Sequence, residues 1–246
     1  MVRVIYSGTA YAGEIRLSSD AINYLKNNKI NSVALFASVQ FLNFENVIRQ
    51  LNSLGINVSV LKTKRGERVG QVLGCNIYRD NFEEDLVKTA DCVIYIGDGK
   101  FHPSALLFAR AKSVLIYNPI SDSFKVFVGR DIKKQMNKIK INLKKFISAK
   151  SIGILVSLKP GQQQLILAEK LKLVLEKHNK MVFIFIDNNF NLLDLENFNF
   201  IECWVNSACP RIGTDDILSI SKPLINIRDA FEPVESLEKL ENFGNK

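Results

Sequence analysis

The feature that most constrains this chain is a series of short, almost wholly apolar runs separated by stretches of helical periodicity. In the first half these are residues 32–37 (Ser-Val-Ala-Leu-Phe-Ala), 92–96 (Cys-Val-Ile-Tyr-Ile) and 113–117; in the second they are residues 152–156, 182–186 and 201–205. Runs this short, apolar on both faces, belong to strands buried on both sides. Their alternation with helices argues for parallel sheets covered by helical layers. Residues 56–61 alternate as a further strand, residues 224–227 close the second set, and residues 2–6 read as a strand start.

Between the runs, Ser18 or Ser19 can cap a helix running to about Asn28, with Ile22 and Leu25 inward. Further helices are expected over residues 43–54, stopped by Gly55, and over 82–89, 104–109 and 163–178. Residues 130–150 hold Arg130 and Lys133, Lys134, Lys138, Lys140, Lys144, Lys145 and Lys150 against a single Asp131. Met136, Ile139, Leu143, Phe146 and Ile147 recur there at helical spacing. The expected architecture is α/β: two Rossmann-like units, each a four-stranded parallel sheet flanked by helices, over residues 1–130 and 131–246.

The chain has 246 residues, of which 47% are hydrophobic, ample for packed cores. The net charge of +8 favours anionic partners, but much of it lies in the basic helix, where a solvated face is the simpler reading. Direct nucleic-acid contact is therefore not expected. No signal peptide and no apolar run of membrane-spanning length is apparent, so a cytoplasmic, thiol-reducing setting is expected. Four cysteines in such a compartment are core residues, ligands or nucleophiles before they are disulfides.

Cys92 heads an apolar strand, and Cys203 alternates with Ile201 and Val205, so both read as small core residues. Cys75 follows Gly70-Gln71-Val72-Leu73-Gly74, and Cys209 precedes Pro210-Arg211-Ile212. Both lie in loops beyond strands, where open parallel sheets place ligands. As loop thiols they are either soft ligands, suited to iron–sulfur clusters or zinc, or inert. A site shared by the two requires the halves to pack together.

Gly97-Asp98-Gly99 ends one strand and precedes a helix, so it is an anion- or nucleotide-binding loop or a plain tight turn. His102 within the same stretch is a ligand contact or a structural residue. Ser157-Leu158-Lys159-Pro160-Gly161-Gln162 has the same strand–loop–helix context. Lys159 supplies charge and Gly161 permits close approach, but the Walker pattern is not matched. His178 reads as a solvated helix cap.

Together, Gly70-Gln71-Val72-Leu73-Gly74-Cys75, Gly97-Asp98-Gly99-Lys100-Phe101-His102-Pro103, Lys159-Pro160-Gly161-Gln162 and Cys209-Pro210-Arg211-Ile212 resemble, in order, motifs of the archaeal diphthamide synthase family. This family is 2-(3-amino-3-carboxypropyl)histidine synthase, and the resemblance runs from about Asn31 to the C-terminus. It implies three similar α/β domains, each giving one cysteine to a central [4Fe–4S] cluster. The open iron of that cluster binds S-adenosylmethionine. Reductive cleavage then yields a 3-amino-3-carboxypropyl radical, which adds to a histidine of translation elongation factor two.

On this resemblance Cys75 and Cys209 correspond to the ligands of the second and third domains. Gly97, Asp98, Gly99 and His102, with Ser157, Lys159, Gly161 and Gln162, correspond to walls of the S-adenosylmethionine pocket. Family members work as dimers, so a homo- or hetero-oligomer is expected. The family's first domain and its cysteine have no counterpart in this sequence; residues 1–6 resemble only the strand leading out of it. The resemblance therefore implies a partner chain that supplies the first domain and third cysteine. The alternative is a non-catalytic or electron-delivery subunit.

Overall fold

Each apolar run is a strand. In the first half these are β1 (Ser32–Ala37), β2 (Asn57–Ser59), β3 (Cys92–Ile96), β4 (Ser113–Asn118) and β5 (Ser123–Val128), in the order β2-β1-β3-β4-β5. β2, β1, β3 and β4 are parallel, and β1, β3 and β4 are buried on both faces, as is usual for such strands. β5 is an additional antiparallel edge strand that pairs with β4 from Ser113↔Val128 to Asn118↔Ser123. It was not anticipated. Its alternating, half-exposed pattern around Lys125 lacks the continuous apolar signal of the buried strands. The computed structural model describes residues 10–241, so the strand expected at residues 2–6 lies outside the described residues.

Helices α1 (Ser19–Asn27), α2 (Glu45–Ser53), α3 (Leu86–Thr89) and α4 (Phe101–Phe108) accompany this sheet. Ser18 caps α1 by accepting from the Ala21 amide at 3.3 Å, and Gly55 ends the α2 segment with φ +75°. The helix expected over 82–89 is only its last turn. Phe82 is extended (φ −108°, ψ 149°), bridges Thr63 and sets its ring 5.5 Å from Phe36, so tertiary contacts override local helix propensity there. The helix expected at 104–109 begins earlier, at Phe101, with Pro103 in its first turn as its missing N–H allows.

The chain divides into two units between Ile132 and Lys133. The second contains α5 (Lys133–Ser148), β6 (Ser151–Ser157), α6 (Leu165–Lys177), β7 (Met181–Asp187), β8 (Cys203–Asn206), β9 (Leu224–Asn226), α7 (Ile227–Phe231) and α8 (Pro233–Glu241). Its sheet runs β7-β6-β8-β9 and is parallel throughout. Met136, Ile139, Leu143 and Phe146 of α5 are buried, whereas Ile147, expected inward, is exposed. The Lys180 ammonium donates to the Ile147 carbonyl at 2.9 Å and also reaches the carbonyls of Phe146 and Ala149, closing the C-terminus of α5.

The first core centres on Val33, Leu35, Ile94, Ile96 and Leu115 with α1 and α2 packed over them. In the second, Trp204 is fully buried, with Phe185 and Phe198 edge-on at 4.8 and 5.8 Å. A Cβ on Gly153 would come within 2.3 Å of the indole, so glycine in the neighbouring strand makes room for the largest side chain of this core. Among the described residues no helix is long and apolar enough to cross a membrane.

Candidate functional site

In the first unit the sequence-selected residues gather at the carboxyl ends of β1 and β3. The Ala37 amide donates to the Gly70 carbonyl at 2.8 Å, and the Val72 amide donates to the Ala37 carbonyl at 3.2 Å. This parallel bridge between Ala37 and Gln71 ties the cysteine-bearing stretch to the end of β1. The preceding loop is folded on itself. The Gln71 side-chain oxygen accepts from the Glu67 and Arg68 amides, and the Thr63 hydroxyl donates to the Gln71 carbonyl.

Cys75 lies in the turn that follows. There the Asn76 amide donates to the Leu73 carbonyl (3.0 Å), and the Asn76 side chain accepts from the Leu73 amide (2.8 Å). Cys75 is half-buried; Asn76 is fully buried, and its side-chain nitrogen has no hydrogen-bond partner.

β3 ends beside the same place, with the Ser38 amide donating to the Ile96 carbonyl and the Gly97 amide to the Tyr117 carbonyl. A Cβ on Gly97 would fall 2.7 Å from the Tyr95 hydroxyl oxygen, which is the physical reason for that glycine. Gly99 adopts φ +70° with nothing near a notional Cβ, so its requirement is conformational. The Asp98 carboxylate accepts from the Gly99 amide at 2.7 Å and from the Asn118 amide group at 3.4 Å. Beside this loop opens a cavity of about 210 Å³ lined by Gly97, Asp98, Gly99, Lys100, Asn118 and Phe127, with the Lys100 ammonium 5.1 Å from the Phe127 ring centre.

His102 is half-buried, with Nδ1 3.3 Å from the Tyr95 hydroxyl and the Phe101 ring perpendicular at 5.3 Å. Burial pushes the Tyr95 phenol up to about 12, so it stays protonated beside His102. Phe101 lies over Gly74, where a Cβ would come within 2.2 Å of its ring, and so joins the Cys75 turn to the Gly97–His102 stretch.

The second unit repeats the placement with different chemistry. β6 ends at Ser157, which is buried, and its hydroxyl accepts from the Lys159 amide at 3.2 Å. The Gln162 amide donates to the Lys159 carbonyl at 3.0 Å, with Pro160 and then Gly161 (φ +75°) between them. This is the residue order a type II turn selects. Lys159 and Gly161 are exposed and Gln162 half-buried, so three of the four residues face outward while Ser157 shapes the turn.

The Cys209 loop leaves β8 alongside. The Ser207 amide and hydroxyl both donate to the Leu155 carbonyl, at 3.0 and 2.7 Å. Cys209 is half-buried, ahead of a 3₁₀ turn over Pro210–Gly213. Arg211 in that turn is buried, ion-paired with Asp215 and electrostatically linked to Cys209. Burial pulls the guanidinium below its usual value and lifts the Asp215 carboxyl. His178 closes α6 near the amino end of the sheet, away from both loops.

The four cysteines divide by environment. Cys92 and Cys203 are buried at 1% and 0% exposure. Burial raises both thiols, Cys203 to about 12, which keeps them neutral core residues. Cys75 and Cys209 are in turns at carboxyl edges, partly accessible and outside any disulfide. Soft, accessible thiols fit an iron–sulfur or zinc ligand role, and the orphaned donor of Asn76 beside Cys75 suits a site that presents sulfur acceptors. Among the described residues no group of three or more His, Cys, Asp or Glu side chains is arranged to hold a metal.

Several contributors were not singled out from sequence: Tyr95, Asn76 and Asn118 around the first loop, and Ser207, Asn206 and Asn226 around the second. A signal did exist for the last two. Each is a polar residue that ends an otherwise apolar strand.

Residues 3–239 match the family model described as "Putative diphthamide synthesis protein". The 2-(3-amino-3-carboxypropyl)histidine synthase of Pyrococcus horikoshii is 33% identical over 180 residues, covering 73% of this chain and 50% of that protein. That of Methanocaldococcus jannaschii is 32% identical over 142 residues, covering 56% and 41%. The chain thus spans about half the length of the curated relatives it matches. The crystal structure of Dph2 from P. horikoshii with a 4Fe-4S cluster superposes with a TM-score of 0.68 at 27% identity, covering 92% of this chain and 61% of that one. With its model matched across nearly the whole sequence, and with the quoted loops at the carboxyl ends of parallel strands in two sheets, the chain belongs to the diphthamide synthesis protein family.

Proposed function

We propose that this chain is the two-domain portion of a 2-(3-amino-3-carboxypropyl)histidine synthase that takes part in the first step of diphthamide biosynthesis. In that step the 3-amino-3-carboxypropyl group of S-adenosylmethionine passes to a histidine of translation elongation factor two. Residues 1–130 stand for the family's second domain and residues 131–246 for its third. Cys75 and Cys209 are two ligands of a [4Fe–4S] cluster whose third ligand comes from the family's first domain. When bound, the cluster supplies the electron for reductive cleavage of a carbon–sulfur bond in S-adenosylmethionine.

The observation that carries this reading is the partition of the cysteines. Two are neutral strand residues, and two are accessible in turns held to the ends of β1 and β8. The chain's own residues have separable tasks. The Gly70–Val72 bridge and the Asn76 turn orient Cys75. The Asp98 and Gly161 amides, with the exposed Lys159 ammonium, offer donors and positive potential for the carboxylate of S-adenosylmethionine. Tyr95 holds His102 beside the first loop.

The test is anaerobic co-purification with a first-domain chain, followed by iron and sulfide analysis. The expected result is weak iron binding by this chain alone and about four irons per complex. A stable four-iron cluster in the isolated chain would overturn the division of ligands. The second reading is a non-catalytic or electron-delivery subunit of the same synthase. It predicts that the complex never exceeds the iron content of its partner alone.

A further inference from the structure

Asn206 and Asn226 end adjacent parallel strands and face each other in register. Both are buried, at 1% and 4% exposure, in positions where the rest of each strand is apolar. The Asn206 amide nitrogen donates to the Cys209 carbonyl and to the Asn226 side-chain oxygen, each at 2.8 Å. The Asn206 oxygen accepts from the Ala208 amide at 3.1 Å. The Asn226 amide nitrogen donates to the Pro210 carbonyl at 2.9 Å. Two buried side chains thus grip the backbone immediately before, at and after Cys209.

A buried amide is costly unless its hydrogen bonds are made, and here they are made to one loop. The fit is close on the far side as well. A Cβ on Gly213 would approach the Asn226 oxygen to 2.4 Å, so the turn after Cys209 closes directly onto the pair. Asn142 offers the contrast. It is equally buried in the same unit, but its amide donates to the Leu224 carbonyl at 2.9 Å, bracing α5 on β9 without reaching the cysteine loop.

We propose that Asn206 and Asn226 are positioning residues that fix the Cys209 thiol for its role as a cluster ligand, an inference that rests on the ligand reading above. Alkylation by iodoacetamide is measured on the full, cluster-free chain, with the rate at Cys209 divided by that at Cys75 as internal reference. Asn226→Ala should raise this ratio roughly fivefold, the effect of losing one net hydrogen bond on the opening of the loop. Gly213→Ala should raise it too, by displacing Asn226 without altering any amide, and it carries the test if Asn226→Ala does not fold. Asn142→Ala should lower the melting temperature and leave the ratio unchanged.

A ratio unmoved in both loop variants, or moved as much by Asn142→Ala, overturns the positioning role. In the complex reconstituted with iron and sulfide, Asn226→Ala should release iron to a chelator faster than the parent chain. Full iron retention after Cys209→Ala overturns the ligand reading and the proposal with it. Iron lost in Cys209→Ala alongside an unmoved alkylation ratio overturns the positioning alone.

Discussion

Gly74 packs directly against the Phe101 ring: a Cβ at position 74 would lie 2.2 Å from that ring where it stands. The contact spans two sequence motifs, linking the turn that bears Cys75 to the helix start that bears His102. The Phe101 ring is 54% exposed and can swing outward, so Gly74→Ala should leave the fold intact while freeing the turn. Alkylation of Cys75 should accelerate, with the circular dichroism spectrum unchanged. Unchanged Cys75 reactivity in the folded variant would show that Phe101 does not hold this turn.

The cysteine partition makes a direct chemical prediction. In the native chain at pH 8, iodoacetamide should label Cys75 and Cys209 within minutes and leave Cys92 and Cys203 unmodified until denaturant is added. Peptide mass spectrometry resolves the four sites. Labelling of Cys203 in the native state would contradict its placement in the β8 core.

Burial of Cys203 also fixes a pH dependence. Its thiol is raised from the ordinary value of 9.0 to about 12 because the thiolate is desolvated in the core. The folded state therefore binds this proton more tightly than the unfolded state. The associated stability is fully present below pH 9 and is lost as pH rises towards 12. Denaturant midpoints measured across this range should fall less steeply for Cys203→Ala than for the parent chain, although the variant starts less stable because of its cavity. Parallel curves would mean that the thiol ionises alike in both states.

The strands were legible because two-sided burial writes itself as a continuous apolar run, and the carboxyl-edge position of the loops follows from parallel connection alone. β5 was not legible: an edge strand exposed around Lys125 carries only a weak alternation. The helix at residues 82–89 was over-read because the bridge from Phe82 to Thr63 is a contact across almost twenty residues that no local pattern reports. At the site, glycine, proline and cysteine announced themselves by residue type. Asn206 and Asn226 did not, since their meaning comes from meeting across β8 and β9.

The Lys159-Pro160-Gly161-Gln162 turn should be sensitive at one position. Gly161 has φ +75°, so Gly161→Ala should cost roughly 1 kcal/mol through backbone strain. No steric term adds to this, because nothing lies within 4 Å of a notional Cβ. Chemical denaturation measures the change. A loss several times larger would indicate a contact that the open surroundings of Gly161 do not contain.

The final prediction rests on the proposed function and concerns S-adenosylmethionine, with S-adenosylhomocysteine, which keeps the carboxylate and has no sulfonium, as an unreactive probe. Gly99 holds φ +70° at the rim of the cavity beside Asp98 and Lys100, and a β-branched residue in that conformation is a true outlier. Gly99→Val must therefore remodel the loop and redirect its amides. Gln162 is half-buried just after the Pro160-Gly161 turn, where a side-chain amide can bond a ligand carboxylate or base. In the reconstituted complex, calorimetry should show each of Gly99→Val and Gln162→Ala weakening S-adenosylhomocysteine binding by roughly tenfold, the equivalent of about 1.4 kcal/mol. Gly55→Val is the control. Gly55 has a similar φ of +75° and equally open surroundings, but it joins α2 to the amino end of β2, so it should reduce stability and leave affinity alone. Affinity unchanged in both loop variants, or reduced equally by Gly55→Val, would remove these loops from the ligand site.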